Sequence, residues 1–549
     1  MFAEMVWLRW QAERDPYPQT KLPVAELRID SSKMELLNQN LPTSGREPQL
    51  ASLRVGEREL SVEARYAGIS INHWGMPWKS WNFKVQGEGD FLGLTVFNLM
   101  MPRSITQFEN WLGNEMSRRM NAVITPHSEF VHFRLNGKLN GMRILEEPVT
   151  PVMIARMGLP PGKLYHGDIT TAQIYDGIPR PRLFSTPSAW RVQSSLTDNQ
   201  GRGEMEALVR IIQTVHNPYD FFYQLPRVVN AESLTKYMAL LEIISSVHID
   251  ETHNWKMYFN PETGLLEPII WNSVAYYWRN TKSMDLAPND LFRVVLANPE
   301  LREDKDRAIW NAIQGELHED KLKAIVQSEK ARVAPDVYAS ELKWEAGDRG
   351  INLLSNQEWD AAIEDLLQVI TQRHAYLRGE LSAAEVRYRL DSEGGSAAPS
   401  QLALQVGSRS GVRLETLTLQ FPPSMAGQTV RLERRGVQDM ERPSGSGLNI
   451  SPNPFAQAIV KPDGAATFYL NDTLTSKRRA ARRSPVQIVP STYIYLVRAS
   501  APAQRVGPIV VKNSITGEPA VSSEDNSIAI PESHVANIVW WSPRRFVSN

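Results

Sequence analysis

The chain has 549 residues, with Lys+Arg 60 against Asp+Glu 61 and a formal net charge of −1, so nothing in its overall charge points to nucleic acid or an anionic membrane surface. A hydrophobic fraction of 42% and a mean hydropathy of −0.34 fit a globular protein, and the length predicts roughly two to four domains. Cysteine is absent, which excludes disulfides, Cys-ligated zinc, Fe–S clusters and thiol catalysis. No stretch reaches the ~20 apolar residues that span a bilayer; the best candidate, residues 237–249, is interrupted by Glu242. The first residues, Met1-Phe-Ala-Glu-Met-Val-Trp7, carry an early acid and no basic segment, so they do not read as a signal peptide, and a start further upstream stays open.

Residues 1–150 read mostly as strands and turns. Val24-Ala-Glu-Leu-Arg-Ile-Asp30, Leu60-Ser-Val-Glu-Ala-Arg-Tyr66 and Trp81-Asn-Phe-Lys-Val85 all alternate. One amphipathic helix is predicted over 104–120, with Ile105, Phe108, Leu112 and Met116 at helical spacing. An Asn136-Gly137 turn then joins two strands into a hairpin. Residues 151–388 are richer in helix, with the 3.6-residue period over 204–215, 231–248, 304–328 and 356–381. Residues 389–400 have the composition of a linker, and 401–549 return to short alternating strands, an all-β domain drawn most simply as a sandwich. No internal repeat of fixed period is present.

The segment with the most chemistry runs from His248 to Asn272. A buried helix ends, Asp250 follows in a loop, and Asn254 comes four residues later. A hairpin over 255–259 and 265–271 then returns the chain to the same place at Asn272. Phosphoryl transfer uses these parts: a carboxylate to take or orient the proton of the attacking hydroxyl, and oxygen ligands for Mg²⁺. An Asp and an Asn after a helix also serve as turn and capping residues, and His248-x-Asp250-x-x-His253 offers a metal triad as a competing arrangement.

Other pieces fall in a recognisable order. They are Arg65-Tyr-Ala-Gly68, Lys79-Ser-Trp-Asn-Phe-Lys84, the hairpin from Phe130 to Glu147, Leu164-Tyr-His-Gly-Asp168, and Asp250…Asn254…Trp271-Asn272. Together, over about residues 22–280, they resemble the spore-coat CotH kinase family. Its members show an R-x-R-G-like strand, a K-K-S-[WY]-R-x-K strand, an N-G-x-x-x-G-x-Y-x-x-x-E hairpin, a D-x-x-x-N loop and a P-W-D strand. The resemblance implies an α+β, protein-kinase-like fold: a β-rich N-lobe at 1–150 and a helical C-lobe at 151–388, ahead of the linker at 389–400 and the β domain at 401–549. It also implies ATP with Mg²⁺ or Mn²⁺, transfer of phosphate to Ser/Thr of envelope or coat-type proteins, and an extracytoplasmic location, with the cytoplasm left open. Carried over by motif, Lys84 is the phosphate-gripping lysine, with Lys79 as the alternative. Glu115 is its ion-pair partner, with Glu109 second, and Glu147 closes the hairpin. Asp250 is the catalytic base, and Asn254 and Asn272 are metal ligands.

Two departures stand out. Asn82 replaces the usual Arg of the lysine strand, and Asn272 replaces the metal-binding Asp of P-W-D, with Ile270 for its Pro. An amide oxygen lacks the full charge that anchors a cation beside ATP. Three functions therefore stay open: an active but weakened kinase, a pseudokinase that binds without turnover, and an AMP transferase on the same fold. Other signals read as structure. Gly87-Glu-Gly89 follows Lys84 and is a strand turn, and Gly201-Arg-Gly203 precedes a helix. The basic run Lys477 to Arg483 is a solvated loop, and most of the 15 Trp residues belong to cores, with Trp540-Trp541 as a candidate exposed patch.

Overall fold

Strict alternation along the first strands puts one row of side chains inside and the other outside. Leu60, Val62, Ala64 and Tyr66 are buried along one strand, and Trp81, Phe83 and Val85 along the next. The computed structural model describes residues 19–68, 71–169, 182–194, 201–214, 218–279, 283–347, 350–392, 399–437, 455–479 and 487–530. Residues 1–7 of the N-terminal reading, 393–398 of the linker, 480–483 of the basic run and Trp540-Trp541 lie outside them. The chain is a mixed α+β protein that divides into two compact units. The first comprises 1–214, 223–291 and 311–374, and the second 215–222, 292–310 and 375–549.

In the first unit, seven strands close into a barrel: β1 (Val24–Arg28), β2 (Gln49–Val55), β3 (Arg58–Tyr66), β4 (Trp81–Val85), β5 (Val96–Met100), β6 (Ser128–Leu135) and β7 (Lys138–Glu146). The order is β1-β2-β3-β4-β5-β7-β6, and β1 closes it by pairing antiparallel with β2 and parallel with β6. Asn136 and Gly137 take φ of 49° and 81°, the left-handed pair that a two-residue hairpin needs. Aromatic rings fill the interior: Tyr66 meets Trp81 edge-on at 4.8 Å, and Phe83 stacks on Phe97 at 5.2 Å.

Helices cover the outer face of β6 and β7, so these two strands are buried on both sides. Phe130 packs outward on Phe108 and Trp111 at the start of α1 (Glu109–Met120). The predicted helix began at 104; instead Ser104 to Gln107 form a turn, with Gln107 at φ 62°. A second antiparallel sheet, in the order β11-β10-β8-β9, contains β8 (Lys163–Gly167), β9 (Arg191–Ser194), β10 (Trp255–Asn260) and β11 (Leu265–Pro268). The apolar helix α2 (Ala231–Ile243) leads into the loop before β10; it is capped by the Asn230 side chain, which accepts from the Ser233 N–H. The helical period over 304–328 resolves into two helices, Pro299–Gln314 and Glu319–Ala339, because Gly315 interrupts it and the His318 side chain caps the second. In the longer of these, Asp336 binds the buried His132 of β6 at 2.6 Å.

Beside a small two-stranded sheet of Lys477–Arg479 and Gln487–Val489, the second unit holds two larger sheets that share one apolar core, including Leu402, Leu404, Leu414, Leu417, Leu432 and Phe468. One sheet has six strands, the other three, in the order Ala465–Leu474, Val412–Gln420 and Arg505–Asn513. Among the described residues no helix is long and apolar enough to cross a membrane.

The two faces of β4 make a sharp test. Phe83 is fully buried, whereas the Lys84 side chain is 60% exposed and lies 3.8 Å from Glu63. Phe83→Ala should cost about 3–5 kcal/mol and Lys84→Ala no more than about 0.5 kcal/mol. Urea unfolding followed by tryptophan fluorescence reads both; equal shifts would contradict the inward assignment.

Candidate functional site

The loop that carries Asp250 exists because α2 stops early. Helix was predicted to 248, but Ser245 turns left-handed at φ 54°, and the Ser246 N–H returns to the Leu241 carbonyl at 2.9 Å. The two serines and His248 favour local bonding over helix continuation. The chain leaves at Asp250, whose carbonyl is pinned by the buried Trp255 indole at 3.0 Å. Asp250 Oδ1 accepts from the Thr252 and His253 backbone N–H groups at 2.7 and 3.1 Å, and from the His253 ring at 2.7 Å. Burial pushes the Asp250 carboxyl up, but these hydrogen bonds outweigh it and hold the group below the usual carboxylate range.

Asn254 sits at φ 67°, which frees its N–H for Asp168 Oδ1 at 2.8 Å. Its side-chain amide donates to the His248 carbonyl at 2.9 Å and accepts from Asn272 Nδ2 at 3.2 Å. Asn272, at φ 48°, accepts on Oδ1 from Asn110 Nδ2 at 3.2 Å, and its carbonyl takes the His248 Nδ1 proton at 2.9 Å. Asn110, on α1, also donates to Glu146 of β7 at 2.8 Å and accepts from the Val274 N–H at 3.2 Å. One continuous chain therefore runs from Glu146 through Asn110, Asn272 and Asn254 to His248. The backbone around it is strained: Val274 and Tyr276 also take positive φ, 42° and 56°, which bulky residues rarely adopt.

Beside this chain lies a cleft of about 170 Å³ lined by Arg103, Ser104, Glu109, His248, Val274, Tyr277 and Trp278. Burial pulls His248 down to about 4, so its ring is neutral at pH 7. Burial pushes Glu146 up to about 7, opposed by the Asn110 hydrogen bond and by Arg103. Asp168 and the buried Lys256 form an ion pair at the back of the loop. There burial raises the carboxyl, but Lys256 overrides it.

Of the residues singled out from sequence, Asp250, Asn254 and Asn272 come together in one loop cluster. Lys84 faces outward beside Glu63 and does not line the cleft. Lys79 donates to the Trp74 and Met76 carbonyls at 3.0 and 2.9 Å. Glu115 holds Arg118 and Arg119 at 2.8 and 2.7 Å, so no Lys84–Glu115 pair forms. Glu147 binds Arg156 and the His127 N–H; the acid that reaches Asn110 is Glu146, on the opposite face of β7. Glu109 accepts from the Arg103 N–H at 2.8 Å and from the Ser104 hydroxyl. Asn110, Glu146 and Arg103 were missed. Strand parity from Gly141 was the available signal for Glu146, and none existed for the other two.

A divalent cation does not fit this donor set well. Mg²⁺ is usually held by one or two carboxylates together with substrate phosphates. Here the Asn254 and Asn272 oxygens are neutral and already accept hydrogen bonds. Among the described residues no three His, Cys, Asp or Glu are placed to hold a metal, so the triad of His248, Asp250 and His253 does not form. The cleft also falls short of the ~300–1,000 Å³ of pockets that enclose drug-sized ligands; it admits a phosphate-sized group or one edge of a nucleotide.

Two measurements test this geometry. In the folded chain Glu146 keeps its proton up to about pH 7, against a reference value of 4.5. The folded state thus binds more protons between those values, and stability falls as pH rises through that window, by on the order of 3 kcal/mol. Urea midpoints across the window should show the fall in the wild type and a flatter profile in Glu146→Gln; an unchanged profile would implicate another group. Separately, a Cβ at Gly113 of α1 would lie 2.0 Å from the Ser273 hydroxyl. Gly113→Ala should therefore cost about 1–3 kcal/mol, much of it recovered by adding Ser273→Ala. Melting temperatures decide it, and a neutral Gly113→Ala would contradict the close approach.

Comparison with known proteins places the chain in a lineage. Inner spore coat protein H of Bacillus subtilis (strain 168) is 20% identical over 375 residues, covering 66% of this chain and 99% of that protein. The family model described as CotH kinase protein matches residues 65–377, more than half of the chain. The chain belongs to the CotH kinase protein family.

Proposed function

We propose that this protein is a pseudokinase-type member of its family, which binds the phosphate end of a nucleotide such as ATP at the cleft beside His248 and Trp278 and transfers phosphate slowly or not at all. The observation that carries this reading is the double engagement of Asn272. Its amide accepts from Asn110 at one end and donates to Asn254 at the other. A position that would serve as a charged metal anchor is instead a neutral link in a hydrogen-bonded chain. Metal neutralisation supplies several kcal/mol of transition-state stabilisation as a rough guide, so its loss falls mainly on turnover.

In this reading the barrel acts as the N-lobe and the elements from 151 onward in the first unit act as the C-lobe of a kinase-like pair. The curated relative is named as an inner spore coat protein, which supports a coat or envelope protein as partner and an extracytoplasmic site of action. The β domain of the second unit is then available for that partner. An active Ser/Thr kinase is the second reading, and Asp250 favours it: the carboxylate is kept ionised, its side chain is 38% exposed, and its hydrogen bonds fall on one oxygen. That is a usable general base.

Incubation with γ-labelled and, separately, α-labelled ATP, alongside melting curves, distinguishes these outcomes. ATP should raise the melting temperature while label transfer stays far below the ~1–100 s⁻¹ of protein kinases, and any residual transfer should vanish in Asp250→Ala. Transfer in the kinase range, lost in Asp250→Ala, would overturn the pseudokinase reading for the kinase one. Movement of the α-label would point to AMP transfer.

A further inference from the structure

Resting on the nucleotide-binding reading above, we propose that Arg103 takes the place of the divalent cation, so that this site binds polyphosphate through a guanidinium and independently of metal. Arg103 lines the cleft with His248, Tyr277 and Trp278. Its backbone N–H is used by Glu109, and its charge acts on Glu146 at a distance, but among the described residues its guanidinium makes no ion pair and no hydrogen bond, in contrast to Arg118, Arg119, Arg156 and Arg182. An arginine left unpaired at the wall of a cleft is an open site for an anion, and its planar fork matches two phosphate oxygens at once.

The surroundings support an anionic ligand with an aromatic end. Glu109 is the carboxylate in the wall, but both its oxygens are turned to the helix start, one taking the Arg103 N–H and the other the Ser104 hydroxyl. Asn110, Asn254 and Asn272 are neutral and satisfied by one another, so they neither repel phosphate nor demand a cation. Tyr277 is 40% exposed and packs edge-on to Trp278 at 5.1 Å, giving a face on which a base can stack. The two lysines of the β4 segment are otherwise engaged: Lys84 with Glu63, and Lys79 with two backbone carbonyls. Among the described residues, Arg103 is the cation that lines the cleft.

Calorimetric titration with ATP and with inorganic tripolyphosphate, each in EDTA and in excess Mg²⁺, tests the assignment on the wild type, Arg103→Ala and Arg103→Lys. The wild type should bind both ligands in EDTA, with affinities within about threefold of those in Mg²⁺. Arg103→Ala should weaken both at least tenfold, and Arg103→Lys should recover only part, because an ammonium cannot engage two oxygens in one plane. A melting temperature for Arg103→Ala close to the wild type shows that the loss is local. If ATP binds only with Mg²⁺, or binds equally well to Arg103→Ala, the arginine assignment falls and nucleotide binding stands. If neither ligand binds under any condition, the nucleotide-binding reading falls, and this proposal with it.

Discussion

The hydrogen-bonded chain from Glu146 through Asn110, Asn272 and Asn254 to His248 is the constraint on which the rest of the site depends. Each link joins a different part of the first unit: the last barrel strand, the helix beside it, the segment after the second hairpin, and the loop after α2. These parts are far apart in sequence. Asn110 and Glu146 are separated by 36 residues, and Asn110 and Asn272 by 162. Buried amides must find partners or pay the desolvation penalty in full. The chain therefore fixes how barrel and loop meet, and it tolerates the positive φ values at Asn254, Asn272 and Val274 because the bonds over-determine the backbone there.

In the proposed reading, the same chain is what separates ancestry from activity. The order of parts is that of a phosphotransfer site, and family membership follows from the match over residues 65–377. The charge is different. Asparagines occupy both positions that sequence order offers to a metal, and each amide oxygen accepts from the next amide. A neutral network of this kind is stable without an ion, so no electrostatic demand for one remains. Among the described residues, negative charge in the cleft comes from Glu109, which is bonded to its own helix start, and positive charge comes from Arg103. In the proposed reading, this balance serves to hold phosphate rather than to activate it.

Much of this was legible in the residues. Alternation over Val24–Asp30, Leu60–Tyr66 and Trp81–Val85 marked strands with one apolar row, though not their closure into a barrel, and Asn136-Gly137 marked a hairpin. Asp250, Asn254 and Asn272 were found because a short loop and a hairpin bring them together locally. Asn110 and Glu146 could not be found that way, since their contact depends on how α1 packs against β7. Parity showed that Lys84 opposes the apolar row, but not that its face meets solvent and Glu63. The continuous helical period over 304–328 hid a break that Gly315 and the His318 cap impose. Local pattern specifies elements; the site is written in contacts between them.

The most direct test of the amide chain is NMR on protein labelled with ¹⁵N at asparagine, following side-chain Nδ2 protons across pH. If the chain is as described, the Asn110, Asn254 and Asn272 amide protons exchange slowly with solvent, and the Asn110 signals shift through about pH 7 as Glu146 titrates. Fast exchange at all three, with no titration at Asn110, would contradict it.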